Sequence, residues 1–192
     1  NSFAGIIKEE LNEPEQIKYC EIVQDTTKNI SRMVRDIKIV VLDPGAIFLV
    51  KENVDLKIFS EQIVKNMKLR AKIEITSSGD NTTAKIDPGY FERVLWNLIK
   101  NADEALTNIT EPFIKIDIRN EKKKILISIS DNGPGIPEQL KKSLFKLGAT
   151  HGKHGGTGIG LYSSKRIVEA HKGKIGFEST NKGTTFLIEL PD

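Results

Sequence analysis

Between Asp131 and Leu161 the chain reads DNGPGIPEQLKKSLFKLGATHGKHGGTGIGL, and eight of these 31 residues are glycine. So flexible a stretch cannot fold as one strand or helix. Loops beyond about 12–15 residues are uncommon in compact domains and are either functional or disordered. This one holds a helical-looking fragment and closes on a second glycine cluster, which favours function. The remainder of the chain must then supply a scaffold for its two ends.

That scaffold is legible on both sides. Phe113–Arg119 and Ile125–Ser130 alternate apolar and polar residues, as half-buried antiparallel strands do. A helix is predicted near Thr157–His171, followed by strands at Lys174–Glu178 and Thr184–Glu189 joined around the hairpin signal Asn-Lys-Gly. Upstream lie a helical stretch near Leu56–Leu69, β-rich stretches at Lys72–Thr76 and Thr83–Ile86, and a strong helix at Pro88–Leu106. Helices and strands interleave without regular βαβ alternation. The expected class is therefore α+β, a two-layer sandwich with helices on one face of a mixed sheet.

The organisation changes near residue 43. From Asn12 to Leu42 there is no glycine, and the one proline, Pro14, stands where a first helical turn tolerates it. Cys20, Val23, Thr27, Ile30, Val34, Ile37 and Val41 follow alternating spacings of three and four, the a/d seam of a packed helix. Phe3, Ile6, Ile7 and Leu11 repeat similarly, so Ser2–Leu11 is read as the end of an earlier helix, with a turn at Asn12–Pro14. The bland alternative is an amphipathic helix packed on its own domain. The Leu42–Ala46 stretch, LDPGA, is a turn and boundary. Two domains are expected, 1–45 and 46–192.

Composition narrows the function classes. The formal charge of +3 is too small to argue for a nucleic-acid partner, and the single cysteine, Cys20, excludes an internal disulfide and fits a reducing compartment. No apolar run reaches the ~18–20 residues of a membrane span. The chain begins at Asn1 and is read as a fragment of something longer.

Three features carry chemistry. The helix FERVLWNLIKNADEAL places Asn97 and Asn101 four residues apart, on one face. Asparagine is poor in a helix interior, so two on one stripe need compensation. An amide oxygen suits Mg²⁺, although both amides could instead satisfy core backbone groups. Asp131 ends the strand ILISIS and opens DNGPG, which is either an ordinary turn or a half-buried carboxylate that accepts from an amine-bearing ring such as adenine. Gly133 and Gly135 would let backbone approach a ligand closely. GGTGIGL at Gly155–Leu161 leads into a helix, where backbone N–H groups and the dipole favour phosphate. Lys153 could add charge there, with Arg166 or Lys165 as weaker candidates.

The order of these features resembles the ATP-binding domain shared by sensor histidine kinases, gyrase-type ATPases, Hsp90 and MutL, of the Bergerat type. NLIKNADEAL is similar to the family's N box, DNGPGI to its G1 box, Phe145 to its F box, GGTGIGL to its G2 box, and GTTF at Gly183–Phe186 to the last glycine box. The resemblance covers roughly Ile47–Asp192. It implies a lid over 132–158, Mg²⁺ on Asn101, Asn97 against the phosphates, and Asp131 on the adenine amine. Gly133, Gly135 and Ile136 would shape the adenine pocket. Gly156, Thr157, Gly158, Ile159, Gly160 and Leu161 would lie near the phosphates, with Lys153 reaching the γ-phosphate. Phe145 and Thr185 would complete the ATP site. In many members a basic residue and an aromatic follow the second Asn; Glu104 and Ala105 stand there, so the resemblance does not extend to phosphate contacts from that side.

Within that superfamily, gyrase-type ATPases place a glutamate four residues before the Mg²⁺-binding Asn. Asn97 stands there and cannot act as a base, so hydrolysis by that route is not expected. The helical hairpin resembles the dimerisation and phosphotransfer domain of histidine kinases, truncated just after the phosphoacceptor. His151, His154 and His171 lie in the lid or at the end of the following helix, and none is a credible phosphoacceptor. A metal site at His151 and His154 is disfavoured by the glycine-rich context, and His171 is expected to carry positive charge at a helix C-terminus. The resemblance implies a cytoplasmic kinase core, with membrane anchoring of the parent left open. Such a core binds Mg·ATP, dimerises through the hairpin and serves a response-regulator receiver domain. The alternatives are a catalytically silent nucleotide-binding module and a protein-serine kinase of the anti-sigma-factor type.

Overall fold

A computed structural model describes residues 14–41, 47–79, 81–121, 124–149 and 158–191. The Ser2–Leu11 helix, most of the turn after it and the Leu42–Ala46 boundary lie outside the described residues. The chain divides into two compact units, Asn1–Leu42 and Asp43–Asp192.

The first unit contributes helix α1, Pro14–Val41, with its proline in the first turn. The seam residues Val23, Ile30 and Val34 are 55, 56 and 49% exposed, so the apolar stripe is open along the single helix. The side chains of Ile37 and Val41 lie outside the described residues.

In the second unit the elements run β1 (Glu52–Asp55), α2 (Leu56–Lys65), β2 (Lys72–Ser78), β3 (Thr83–Ile86), α3 (Pro88–Ala105), β4 (Phe113–Glu121), β5 (Lys124–Asp131), α4 (Glu138–Lys141), α5 (Gly160–Ala170), β6 (Lys174–Thr180) and β7 (Gly183–Pro191). The main sheet has the order β2-β4-β5-β7-β6. β2 pairs parallel with β4 and the other neighbours are antiparallel. This is the expected α+β class with a mixed sheet.

Register explains the core. Ile116 faces Ile129, Ile129 faces Phe186, and Phe186 faces Phe177, so one row of side chains crosses four strands. Ile114, Ile116, Ile118, Ile125, Ile127, Ile129, Ile188 and Leu190 are buried together with Leu95, Leu98 and Ile99 of α3 and Ile167 and Val168 of α5. The alternate positions, such as Lys115 and Ser128, stay partly exposed. Burying one such aliphatic side chain is worth about 1.5–3 kcal/mol. An exposed pair such as Lys115–Glu74 contributes at most about 1 kcal/mol. The alternating pattern, not the charges, holds the layers together.

Two elements depart from expectation. β1 was not legible, because Glu-Asn-Val-Asp has a single apolar residue; it exists through main-chain pairing, Glu52 opposite Ile86 through Asp55 opposite Thr83. Asp55 then caps α2, its Oδ1 accepting from Lys57 N and Ile58 N at 2.9 and 3.2 Å. That helix stops at Lys65 rather than near Leu69. Just beyond, the buried Asp103 of α3 accepts the N–H groups of Arg70 and Ala71 at 2.9 and 3.0 Å, which fixes the entry into β2.

Candidate functional site

α3 starts firmly because Asp87 precedes Pro88 and accepts from Tyr90 N at 3.1 Å. Phe91, Val94, Leu95, Leu98, Ile99 and Ala102 bury its apolar face. Asn97 and Asn101 occupy a half-buried stripe beside it. Asn97 Nδ2 donates to the carbonyl oxygen of Gly160 at 3.3 Å and to Ser164 Oγ at 3.4 Å. The amide is thereby oriented, and its Oδ1 accepts nothing from the described residues. Part of the compensation for a helix-interior Asn is this link to α5. Glu104, one turn from Lys100, pairs with it at 3.7 Å.

Asp131 is the last residue of β5, opposite Thr184 of β7. Its Oδ1 accepts the main-chain N–H groups of Gly133 at 2.9 Å and Thr184 at 3.2 Å. Burial pushes its carboxyl above the usual aspartate range, and those two N–H groups pull partly back. The result is a desolvated carboxylate with one oxygen committed and the other available. A Cβ on Gly133 would lie 2.8 Å from that Oδ1 and 3.6 Å from Ala105 Cβ, so the loop after β5 runs against the end of α3, one turn beyond Asn101. Gly135 has φ +78, and a Cβ there would come within 1.8 Å of Thr180 O. Only glycine fits that approach.

α5 opens at Gly160, and Ile159 at its cap position makes no side-chain hydrogen bond to the first turn. Gly158, at φ +64, folds back on Gly148, whose N–H donates to Gly158 O at 3.1 Å. Leu161 is half-buried in the first turn. Phe145 packs in an aromatic cluster with Phe177 and Phe186, ring centroids 6.0 and 6.5 Å away. Ile136 N–H donates to Ser179 Oγ at 2.8 Å. The structure thus brings Asn97 against Gly160 at the start of α5, and Gly133, beside Asp131, against Ala105 at the end of α3; Asn101 lies between those two contacts along α3, while Gly135 packs on Thr180 and Gly158 on Gly148. Lys153, Gly156 and Thr157, with His151 and His154, lie outside the described residues.

Three expectations are corrected. Thr185 stands on the sheet face opposite Asp131, where its hydroxyl meets Ser130 Oγ at 2.9 Å. The threonine beside the carboxylate is Thr184, buried, and its neighbour Ser179 was likewise not foreseen. Arg166 is buried on its own helix, Nη1 donating to Tyr162 Oη at 3.0 Å, and so is not an open phosphate contact. His171 does follow the last turn of α5, but not as a cation. It is 2% exposed, Nε2 accepts from Asp87 N at 2.9 Å, and Nδ1 lies 2.8 Å from Ile167 O, which makes it the neutral Nδ1–H tautomer. Burial is the main cause that lowers its pKa; Lys51 adds to this, while Ile167 O and Asp87 oppose it.

A two-layer domain with two asparagines on one helix, an acid-ended strand and a glycine turn leading into a second helix defines a class of nucleotide-binding ATPase. The chain belongs to the family described as histidine kinase-, DNA gyrase B-, and HSP90-like ATPases, whose profile matches residues 86–192. Its relatives within that family are sensor histidine kinases of two-component systems. The sensory histidine kinase/phosphatase NtrB of Klebsiella oxytoca is 32% identical over 145 residues, 69% of this chain and 41% of the relative. The sensor protein SrrB of Staphylococcus aureus is 33% identical over 198 residues, 94% of this chain and 33% of the relative. The chain thus spans well under half the length of these relatives. Among solved structures, the nucleotide-free catalytic domain of histidine kinase ThkA has a TM-score of 0.65 and 28% identity over 74% of this chain and 96% of its own. The fold also matches Acinetobacter baumannii AdeS, TM-score 0.70 and 23% identity over 97% of this chain and 89% of its own.

Proposed function

We propose that this chain binds Mg·ATP and presents the γ-phosphoryl group to a histidine imidazole of a helical hairpin, from which it passes to a response-regulator aspartate. The observation that carries the reading is Asp131: a half-buried carboxylate at a strand end, one oxygen held by two backbone N–H groups and the other uncommitted. Such a group suits an exocyclic amine in a water-poor pocket. Asn97, tied to Gly160, aligns the helix bearing Asn101 with the first turn of α5, where phosphate oxygens would meet main-chain N–H groups. The donor set fits Mg²⁺, because the amide oxygen of Asn101 is a hard neutral ligand of the kind this ion takes alongside phosphates and water. When bound, the ion would neutralise phosphate charge. The protein's part is positioning and exclusion of water, since Asn97 cannot act as a base toward water.

The open stripe Val23–Ile30–Val34 supports pairing of α1 with further helices, as in a homodimer of the parent protein. Among the described residues no helix is long and apolar enough to cross a membrane. The test is titration of ATP, with and without Mg²⁺, into this chain and Asp131→Asn, then phosphotransfer in trans to a supplied histidine-bearing hairpin. Binding without transfer would favour the silent regulatory module; no binding at all would sink both readings.

A further inference from the structure

The first half of the glycine-rich segment is held at two points by one residue of the β6–β7 hairpin. Ile136 N–H donates to Ser179 Oγ at 2.8 Å, and Lys141 Nζ donates to the main-chain oxygen of Ser179 at 3.2 Å. Just before the first of them Gly135 lies against Thr180, the next residue of the same strand. Ser179 Oγ also lies 3.0 Å from Thr184 Oγ1, its register partner across the hairpin. Thr184 in turn donates its main-chain N–H to Asp131 Oδ1 at 3.2 Å and is 6% exposed. One hydroxyl therefore touches both the segment that leaves Asp131 and the strand that holds its carboxylate.

We infer that Ser179 is a positioning residue for the nucleotide base: its hydroxyl fixes Gly135–Lys141 relative to Asp131 and keeps Thr184 aligned on the carboxylate. The inference rests on the nucleotide reading above and deepens it. A serine hydroxyl offers one donor and two acceptor positions, enough for Ile136 N–H and the Thr184 hydroxyl together. Alanine leaves both partners to find water or go unpaired in a half-buried site. The Lys141 contact uses the main chain of Ser179 and survives the substitution, so Ser179→Ala isolates the hydroxyl.

The experiment titrates ATP, with and without Mg²⁺, into the unaltered chain, Ser179→Ala, Ser179→Thr and Thr184→Val, and follows amide exchange at Ile136 without nucleotide. Ser179→Ala is expected to weaken ATP about tenfold, by the same factor with and without Mg²⁺, because the loss falls on the base and not the phosphates. Exchange at Ile136 should quicken, and Ser179→Thr should restore both. Should Ser179→Ala fail to fold, Thr184→Val, which takes away the hydroxyl's partner across the hairpin and keeps the main-chain N–H to Asp131, reads the same coupling, with an expected loss of about threefold. Binding by Ser179→Ala within about twofold of the unaltered chain, or unchanged binding by Thr184→Val where it alone folds, overturns the inference. So does a loss seen only with Mg²⁺ present. Failure of the unaltered chain to bind ATP is a different result, which removes the nucleotide reading and this inference with it.

Discussion

The side-chain amide of Asn97 donates to the carbonyl oxygen of Gly160 at 3.3 Å, joining the helix that bears both asparagines to the first turn of the helix behind the second glycine cluster. The same nitrogen reaches Ser164 Oγ at 3.4 Å. Two glycine-and-asparagine motifs more than sixty residues apart are thus one mechanical unit.

Asn97→Ala removes both bonds, at a cost of about 1–2 kcal/mol. Alanine's better helix propensity returns about 0.6 kcal/mol. The net destabilisation in urea unfolding should be about 1 kcal/mol, while ATP affinity should fall by a larger factor, because the turn facing the phosphates loses its tether. Equal stability and equal affinity would remove Asn97 from the site.

Asp131→Asn replaces an acceptor with an amide whose NH₂ opposes the amine of the base. Hydrogen bonds to charged groups are worth about 1.5–3 kcal/mol, so ATP should bind roughly ten- to a hundredfold more weakly. Since burial holds this carboxyl above the ordinary aspartate range, affinity should also fall on acidification at a higher pH than an exposed aspartate would give. Calorimetric titrations at several pH values read both effects.

His171 makes stability pH-dependent. Its pKa is lowered in the folded chain, so the unfolded chain binds the extra proton more readily. Its contribution is complete above the unfolded histidine value of about 6.5 and is lost as pH falls through the folded value. Protonation would set an N–H of the ring against Asp87 N–H. Unfolding free energy should drop between pH 7.5 and 5, and His171→Gln should be less stable at pH 7.5 yet show a flatter pH slope. Parallel slopes for the two proteins would exonerate the histidine.

Gly135→Ala should destabilise the domain by about 2 kcal/mol or more, since it combines φ +78 with a Cβ 1.8 Å from Thr180 O. Gly176→Ala is the internal control: a Cβ there meets nothing within 4 Å. Thermal unfolding should separate the two variants clearly.

What the sequence determined by itself was whatever depends on near neighbours along the chain. Period-two alternation placed β4 and β5, a 3.6-residue stripe placed α3, and glycine at Gly133, Gly135, Gly158 and Gly160 marked backbone that must bend or be approached closely. The ordered boxes identified the nucleotide-binding family, because each motif is short and local. Pairing decided the rest. β1 exists only because β3 lies beside it, as its own four residues carry almost no apolar signal. Thr184 rather than Thr185 meets Asp131 because a strand's faces alternate residue by residue, so a shift of one position moves a hydroxyl through the sheet. His171 is neutral because burial and a donor from Asp87, 84 positions away, outweigh the pull of the helix end. Periodicity and backbone permissiveness are written locally, whereas which face a side chain takes, which proton it keeps and which partner it finds depend on residues that only the fold brings together.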